Sequence, residues 1–482
     1  MSIVSKPSGL VNLGNTCYFN SIMQILLNAP LFGPMLEERA SSSDNKYTIE
    51  DPDDDERVEL ELPECDFVVR SLVDLYKIYA MNSQQSSKSR PIAPSKLMNC
   101  IRQKTGRFRS QVQEDSHELL RSLIDIIRSD EIRRQKAAIS SYIGDNRSTE
   151  MKDDCFTTVV DLIFGGYFLS SVKCQKCKYK SQHLEPFYDL SLAITDPISD
   201  IQAAVANFTS NGILDGENRF ICERCSKLHG KKTYEAGIKS TTIAVPPNIL
   251  TLHLKRFEAS SGAVETRVGG LGGGRKGKKN AHGGRRKHGR NDKNNDDDDK
   301  DGLVGGRGGV NFRKINKHVE FSEFLDISHF TSDLCYDLTK INKWPRLNKG
   351  DPIWYSLFGV VCHSGNLRGG HYTAYVKCEE PSNESASLGE FAEFIQETPY
   401  IPELADIEKI QDYIRRHDAT RCATADRYNN EGDTNKSSNY YDKPSSIPGN
   451  WYHISDSDVR RTTLPNVLCS QAYIVFYRRL IE

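Results

Sequence analysis

The chain has 482 residues, with 64 Lys and Arg against 65 Asp and Glu, and a formal net charge of −1. This balance excludes a uniformly basic nucleic-acid binder and a uniformly acidic protein, although local blocks of opposite charge can cancel in the sum. The sequence has no apolar run of roughly 18 residues and no apolar signal-peptide core near its start. We therefore expect a cytoplasmic or nuclear protein with no membrane partner, whose cysteines are metal ligands, nucleophiles or buried apolar residues.

The early part of the chain predicts helices and the later part predicts strands. Apolar residues recur at helical spacing from Val68 to Tyr79 and from Leu119 to Ile127, as in amphipathic helices that share a core. Leu250, Leu252 and Leu254 alternate with polar residues after a Pro-Pro break, which is a strand pattern. Similar runs follow in YSLFGVVCH, HYTAYVKC and QAYIVFYRRL. The sequence thus predicts an α+β fold.

Two segments differ in composition from their surroundings. Ser260 to Val310 holds 15 of the 34 glycines, and such a segment buries too little apolar surface to offset its ordering entropy. We predict a disordered insertion there. Glu379 to Asn450 is rich in Glu, Asp, Ser, Asn and Pro, with short helical patterns such as ELADIEKIQDYIRRH, and we interpret it as a second insertion.

A basic tract lies inside the first insertion. Arg275 to Arg290 has eight Lys and Arg and no acidic residue, and Asp296 to Asp299 is purely acidic. The basic tract has the composition of a nuclear import signal or of a contact for acidic surfaces such as nucleosomal DNA, and equally of a solvated loop. Deleting Ser260 to Val310 and imaging the cells tests the import role, which predicts loss of a nuclear signal.

Two cysteine pairs have the spacing C-x-x-C: Cys174 with Cys177, and Cys222 with Cys225. Two thiolates in one tight turn can chelate Zn²⁺, and a second pair completes a closed tetrahedral shell. The long segment between the pairs predicts that they lie at the tips of two hairpins. With four ligands and no open position, the predicted zinc is structural; the alternative is two unrelated redox or buried pairs.

Cys17 and His371 are candidates for nucleophilic catalysis. Cys17 follows a Gly- and Asn-containing stretch and precedes a short helical pattern. A helix N-terminus lowers the pKa of a cysteine and favours the thiolate, although a buried core cysteine is at least as common. A cysteine hydrolase also needs a base. His371 has a suitable setting because Gly369 and Gly370 leave room for a substrate backbone just before it.

Five motifs, in this order, resemble the ubiquitin-specific protease family of cysteine peptidases (type C19). They span the chain from about Gly9 to Tyr477. The motifs are GLVNLGNTCYFNSIMQILLNAP around Cys17, QEDSHELL from Gln113, PPNILTLHLKRF from Pro246, GGHYTAYV from Gly369 and WYHISDSDV from Trp451. The residues of FRKINKHVEFSEFLDI and of the last two motifs further resemble the branch of ubiquitin-specific protease 16.

This resemblance implies a papain-like cysteine protease fold in one catalytic domain, residues 9–478. A helical thumb would cover about residues 9–160, zinc-bearing fingers would lie within about 161–245, and a β-rich palm would cover about 246–478 with both insertions inside it. The implied activity is hydrolysis of the bond between the C-terminal glycine of ubiquitin and a lysine of a substrate or of another ubiquitin.

The resemblance also implies roles for individual residues. Cys17 would attack the glycine carbonyl, and His371 would act first as base and then as acid toward the leaving amine. Asn12 matches the family's oxyanion-hole side chain, and such a donor supplies about 3 kcal/mol of transition-state stabilisation. The alternative for Asn12 is that it only shapes a turn.

The sequence offers two candidates for the residue that orients the imidazole of His371. Most family members have Asn or Asp at the position of Ser455, followed by another Asp, which is Asp456 here. Either side chain could accept a hydrogen bond from His371. A carboxylate is the stronger partner, which favours Asp456 and keeps Ser455 as a rival.

Substrate recognition is predicted at two places. Asp115 and Glu118 lie three residues apart and would share a helix face, where they could meet the arginines of ubiquitin's tail; the alternative is an acidic, capping first turn. Gly369 and Gly370 fit a narrow channel for the Gly-Gly end of that tail. The expected partners are ubiquitin and ubiquitinated proteins, and the branch resemblance adds chromatin or histones.

Two other functions remain open from the sequence. One is a ubiquitin-binding scaffold whose altered pair, Ser455 and Asp456, no longer supports turnover. The other is a nucleic-acid binder built on a zinc ribbon and the basic tract, which leaves the motifs around Cys17 and His371 unexplained.

Overall fold

The structure is a computed structural model. It describes residues 6–40, 46–50, 57–84, 90–109, 111–143, 151–153, 156–260, 311–341, 347–366, 369–379 and 444–480. These residues form two compact units. The larger unit combines the chain up to Arg256 with the chain from Asn316 onward, and the smaller unit runs from Phe257 to Ile315.

Ten α-helices lie in the described part of the chain. They are α1 (Cys17–Asn28), α2 (Phe32–Ala40), α3 (Phe67–Ser83), α4 (Ser95–Thr105), α5 (Ser116–Ile143), α6 (Val159–Phe164), α7 (Ile201–Phe208), α8 (Glu223–His229), α9 (Asp333–Ile341) and α10 (Leu464–Leu468). Within the described ranges, no helix combines the length and the apolar character needed to cross a membrane.

The described strands are numbered in chain order. They are β1 (Lys46–Glu50), β2 (Arg57–Glu61), β3 (Gly166–Cys174), β4 (Lys180–Phe187), β5 (Leu190–Ala193), β6 (Gly212–Leu214), β7 (Phe220–Ile221), β8 (Tyr234–Glu235), β9 (Gly237–Val245), β10 (Ile249–Lys255), β11 (Phe257–Ser260), β12 (Asn311–Lys314), β13 (Phe324–Asp326), β14 (Trp354–Asn366), β15 (Gly369–Glu379), β16 (Gly449–Ser455), β17 (Asp458–Thr462) and β18 (Ala472–Arg479). Strands β11 and β12 pair with each other in the smaller unit.

An eight-stranded sheet organises the larger unit. Its strand order is β17-β16-β15-β14-β18-β10-β5, and β13 pairs with β14. Neighbours are antiparallel except β10 and β5, which are parallel. Every residue of β18 is buried, which explains why its sequence lacks the alternation of a strand with one solvated face.

A second, four-stranded sheet has the order β4-β3-β9-β6. The hairpin of β3 and β4 ends beside the first cysteine pair, because Lys173 and Lys180 form its last register pair and Cys174 follows directly. Strands β7 and β8 form a separate short antiparallel pair, and α8 lies in the connection between them.

Helix α1 lies in the core of the larger unit. All its residues from Cys17 to Leu27 are buried, as expected of a helix that is apolar on most sides. It packs against β15, β14, α2 and α5. This position brings the first residue of α1 to the strand that carries His371.

The predicted helices and strands are confirmed. The two amphipathic patterns lie in α3 and α5, and the predicted strands are β10, β14, β15 and β18. Helix α3 begins after Asp66, whose carboxylate accepts a hydrogen bond from the N–H of Val68 at 2.9 Å, an N-cap. Residues 261–310 of the first insertion and 380–443 of the second, including its predicted helix, lie outside the described residues.

We expect Gly9→Ala to destabilise the fold near the turn between β16 and β17. A Cβ atom at Gly9 would lie 2.4 Å from the carbonyl oxygen of Ser457, and a backbone atom cannot rotate away. Overpacking of this kind costs about 1–3 kcal/mol. Gly212→Ala is the matched control, because a Cβ there meets no atom within 4 Å. Urea unfolding measures both, and equal midpoints for the two variants would contradict the prediction.

Candidate active site

The loop before α1 is shaped by the side chain of Asn12. Its Oδ1 accepts hydrogen bonds from the backbone N–H groups of Gly14 at 2.9 Å and of Thr16 at 3.2 Å. The chain is left-handed at Gly14 and Asn15, with φ of 96° and 53°, and it then enters α1 at Cys17. The candidate nucleophile therefore lies at a helix N-terminus, as predicted.

The pKa of the Cys17 thiol is higher than the sequence predicted. Its residue is 3% exposed, and burial raises the pKa of the thiol above the ordinary value. The backbone N–H of Tyr372 opposes this rise, and the carboxylate of Asp456 adds to it. The prediction of a lowered pKa is wrong, because desolvation outweighs the backbone N–H groups near the helix end. A base must therefore remove the thiol proton.

His371 lies on β15, the strand against which α1 packs. It is near the start of β15, opposite Ser364 of β14, and the N–H that acts on the thiol belongs to the next residue, Tyr372. The Nε2 atom of His371 lies 2.7 Å from Oγ of Ser455. Since Ser455 engages Nε2, Nδ1 is the ring nitrogen that can take a proton from Cys17.

The structure separates the two candidates for the orienting residue. Ser455 contacts the imidazole, whereas the carboxylate of Asp456 accepts hydrogen bonds from Nδ2 of Asn12 at 2.9 Å and Nδ2 of Asn20 at 2.7 Å. Asp456 has a φ of 52°, so the chain turns between the two residues. The sequence favoured Asp456 as the partner of His371, and in this geometry Ser455 has that place.

Asn12 connects the turn to the nucleophile loop. One N–H of its amide is given to Asp456, and the amide has a second N–H to donate. Asn12 thus shapes the turn, as one of the two predictions had it, and its second amide N–H remains as a donor for an oxyanion. The oxyanion role stays a prediction.

Asp115 and Glu118 have contacts within the chain. Oδ1 of Asp115 accepts from the N–H of His117 at 2.7 Å, which caps α5, and Oδ2 accepts from the hydroxyl of Tyr473 at 2.7 Å. Glu118 forms an ion pair with Arg107. The capping alternative is therefore observed for Asp115. Carboxylate oxygens have further lone pairs, so contact of both residues with a substrate stays a prediction.

The two glycines before His371 differ in their surroundings. A Cβ at Gly370 would lie 2.1 Å from the carbonyl oxygen of Ser364, whereas one at Gly369 would meet nothing within 4 Å. The N–H of Gly370 donates to Oε1 of Gln113 at 2.6 Å. The hairpin itself thus requires glycine at 370, and a substrate channel along both glycines stays a prediction.

Two site residues were missed from the sequence. Gln113 lies in the QEDSHELL motif, yet it received no role. Asn20 lies three residues after Cys17, and this spacing places it on the same face of α1, which was the available signal. Together they tie β15 and the turn after β16 to the helical part.

The four predicted metal ligands come together. The sulfur atoms of Cys174, Cys177, Cys222 and Cys225 all lie within 4.8 Å of one another. The pair Cys174 and Cys225 is 4.0 Å apart, and the pair Cys177 and Cys222 is 3.5 Å apart. A tetrahedral shell with Zn–S bonds of about 2.3 Å has sulfur separations of about 3.8 Å. The cluster therefore has the dimensions of a four-thiolate metal site.

The sequence of the chain matches the model of a known protein family. The family model described as ubiquitin carboxyl-terminal hydrolase matches residues 8–269 and 309–477. These ranges include Cys17, His371 and Ser455 as well as the four clustered cysteines. The chain belongs to the ubiquitin carboxyl-terminal hydrolase family, which confirms the family predicted from the motifs.

Curated relatives agree with this assignment. The chain is 28% identical over 377 residues to ubiquitin carboxyl-terminal hydrolase 17 of Arabidopsis thaliana, covering 77% of this chain and 37% of the relative. It is 30% identical over 373 residues to hydrolase 25 of the same plant, covering 77% and 42%. It is 24% identical over 378 residues to probable hydrolase 16 of Schizosaccharomyces pombe, covering 78% and 60%. The chain thus spans less than two thirds of each relative's length.

Solved structures share the fold. The SAGA DUB module of Ubp8, Sgf11, Sus1 and Sgf73 bound to monoubiquitin has a TM-score of 0.55 at 19% identity, covering 100% of this chain and 71% of that one. The same module bound to ubiquitin aldehyde has the same score and coverage. The papain-like α+β fold expected from the sequence is thereby confirmed.

We expect alkylation of Cys17 to follow the raised pKa of its thiol. Only the thiolate reacts with iodoacetamide, so the rate should keep rising with pH beyond the ordinary thiol pKa of about 8.5. Mass spectrometry of the peptide that contains Cys17 measures this rate separately from the other cysteines, and Cys469, which is exposed, is the internal comparison. A rate that is already constant below neutral pH would show a thiolate at rest.

Proposed function

We propose that this protein is a cysteine-type deubiquitinating hydrolase. Its substrate is the bond between the C-terminal glycine of ubiquitin and a lysine of a protein or of another ubiquitin. The observation that carries the proposal is that the backbone N–H of Tyr372 on β15 acts on the Cys17 thiol, and that the preceding residue, His371, has its Nε2 2.7 Å from Oγ of Ser455. Family membership supports ubiquitin as the substrate, as does the fold shared with a module bound to monoubiquitin.

In the proposed reaction, His371 acts first as a base and then as an acid. His371 takes the proton of Cys17 as the sulfur attacks the glycine carbonyl, and the imidazolium then gives that proton to the leaving amine. Water adds to the resulting thioester, giving its proton to His371, and the sulfur leaves and regains a proton. The Ser455 hydroxyl holds the imidazole through both steps.

Asp456 acts on this chemistry through Asn12. Its carboxylate holds the Asn12 amide at 2.9 Å, which fixes the direction of the remaining N–H toward a developing oxyanion. Asp456 also accepts from Asn20 of α1 at 2.7 Å, so the turn stays fixed to the helix that begins with the nucleophile.

The four-cysteine cluster fits a structural zinc ion. All four thiolates would serve as ligands, so the metal would have no position for substrate. Bound zinc would join the hairpin of β3 and β4, which carries Cys174 and Cys177, to α8, where Cys222 is the N-cap residue and Cys225 lies within the helix. Chromatin or a histone as the ubiquitinated target stays a prediction from the sequence resemblance.

The proposal predicts turnover that depends on Cys17. Wild-type protein should release the fluorophore from ubiquitin carrying a C-terminal fluorogenic amide, and it should be labelled by ubiquitin carrying a C-terminal electrophile. Cys17→Ala should do neither, because it lacks the nucleophile. Wild-type protein that binds ubiquitin without turnover or labelling would instead support the scaffold function.

Ser455 and Asp456 should have separable effects. We expect Ser455→Ala to lower kcat about tenfold, since a lost hydrogen bond of about 1.4 kcal/mol corresponds to that factor. Asp456→Asn should lower kcat at least as far, because an amide cannot accept from both Asn12 and Asn20 in the same way. It should also lower the alkylation pKa of Cys17, since the carboxylate raises it. Unchanged kcat in both variants would overturn the assigned geometry.

Zinc should co-purify with the protein at one ion per chain. Removing it with a chelator should lower the melting temperature, because the cluster joins separate elements. Cys177→Ser together with Cys222→Ser should abolish binding, whereas Cys335→Ser, at a buried cysteine outside the cluster, should keep the ion. Metal analysis with no zinc in the wild type would refute the site.

A further inference from the structure

A buried carboxylate organises two histidines behind the predicted substrate face. Asp189 precedes β5, and its Oδ2 lies 2.9 Å from Nε2 of His117. The hydroxyl of Ser191 donates to the same oxygen at 3.2 Å. The side chains of His117 and Asp189 are each 11% exposed, and the His117 contact is among the causes that lower the pKa of Asp189 against the effect of its burial. Asp189 is therefore a charged acceptor for both neighbours.

His253 of β10 stacks on His117. The two ring centroids are 3.8 Å apart and the planes differ by 14°. Nδ1 of His253 lies 2.9 Å from Oγ of Ser191. Because Ser191 gives its one proton to Asp189, Nδ1 of His253 is the donor in that contact. Burial lowers the pKa of His253 to about 3, so this ring stays neutral and the stack does not hold two like charges.

The stacked ring of His253 in turn packs against Tyr473 of β18. The centroids are 4.9 Å apart and the planes are nearly perpendicular, at 89°, a favoured geometry for aromatic pairs. The Tyr473 hydroxyl donates to Oδ2 of Asp115 at 2.7 Å. Burial and then the Asp115 carboxylate raise the pKa of Tyr473, so the hydroxyl keeps its proton and remains a donor.

These contacts form one chain from Asp189 to Asp115. His117 enters it twice, since its ring stacks on His253 and its backbone N–H donates to Oδ1 of Asp115. Both oxygens of Asp115 are thus held by groups whose own positions the stack fixes. A carboxylate held in this way loses little side-chain freedom when a cation binds to its remaining lone pairs.

We propose that His117, His253 and Tyr473 are positioning residues for substrate recognition. They hold the Asp115 carboxylate in the orientation that receives an arginine of ubiquitin's tail. This inference rests on the proposed function. It explains how the site would favour a substrate with a basic tail, namely through a carboxylate held in a fixed orientation. None of the three residues needs to touch the substrate for this effect.

Tyr473→Phe tests the last link of the chain. It removes the hydroxyl that donates to Asp115 and keeps the ring that packs on His253 and on Tyr372. We expect KM for a C-terminal fluorogenic ubiquitin to rise about fivefold, the factor that matches the typical net contribution of one hydrogen bond, with kcat unchanged. Tyr477→Phe is the matched control. Tyr477 lies on the same face of β18, is fully buried and donates to the backbone oxygen of Ser322 at 2.8 Å.

A double-mutant cycle separates positioning from a general structural role. The same enzymes are measured with a fluorogenic ubiquitin whose tail arginines are replaced by alanine. If Tyr473 acts through Asp115, Tyr473→Phe should no longer raise KM for this substrate. A fivefold rise that persists without the arginines would overturn the proposal.

His253→Leu tests the stack itself. We expect the same rise in KM and the same dependence on the tail arginines, because the ring that fixes Tyr473 is gone. If this variant does not fold, Tyr473→Phe decides alone. Wild-type protein without turnover refutes the proposed function, whereas wild-type turnover with equal KM in Tyr473→Phe refutes only the positioning role.

Discussion

The burial of α1 against β15 is the contact on which the site depends. Helix α1 is buried from Cys17 to Leu27 and packs on the strand that carries His371. This packing brings Cys17 to the strand that carries His371, the proposed base, and it also buries the thiol. Proximity and a raised pKa of Cys17 therefore have one cause. A more exposed thiol would ionise more easily, but it would lose the fixed geometry that a buried helix end provides.

The carboxylate of Asp456 near Cys17 also has two opposing effects. Asp456 disfavours the Cys17 thiolate, yet it holds Asn12 and Asn20. In the proposed mechanism, this carboxylate disfavours ionisation of the resting thiol and stabilises the arrangement of donors around the reacting carbonyl. Preorganised donors act on the transition state, where charge has moved from sulfur to the oxyanion, so the carboxylate's cost at rest is compatible with catalysis.

Local patterns in the sequence predicted most of the fold and part of the site. The helical spacing in α3 and α5 and the strand runs depend on residues close in the chain, and they were confirmed. The two C-x-x-C pairs come together as predicted, and their zinc ion stays a prediction. The shift in the pKa of Cys17 was predicted with the wrong sign, because the burial of α1 comes largely from β15, more than 300 residues away in the chain. The partner of His371 depended on the turn at Asp456, where φ is 52°, and a residue pattern does not specify which side chain such a turn directs to the imidazole. The stack of His117 on His253 likewise joins a helix to a strand 136 residues later.

A serine beside His371 fits the protonated nucleophile. A neutral hydroxyl stabilises an imidazolium less than a carboxylate does, since charge-assisted hydrogen bonds are about twice as strong. With Ser455 at this place and the pKa of Cys17 raised, a thiolate and imidazolium pair is disfavoured at rest. In the proposed mechanism, charge separation then coincides with attack on the substrate, when the predicted oxyanion donor can stabilise the transferred charge. The proposed mechanism therefore predicts that Asn12, and Asp456 through its contact with Asn12, contribute more to the rate than they would beside a preformed ion pair.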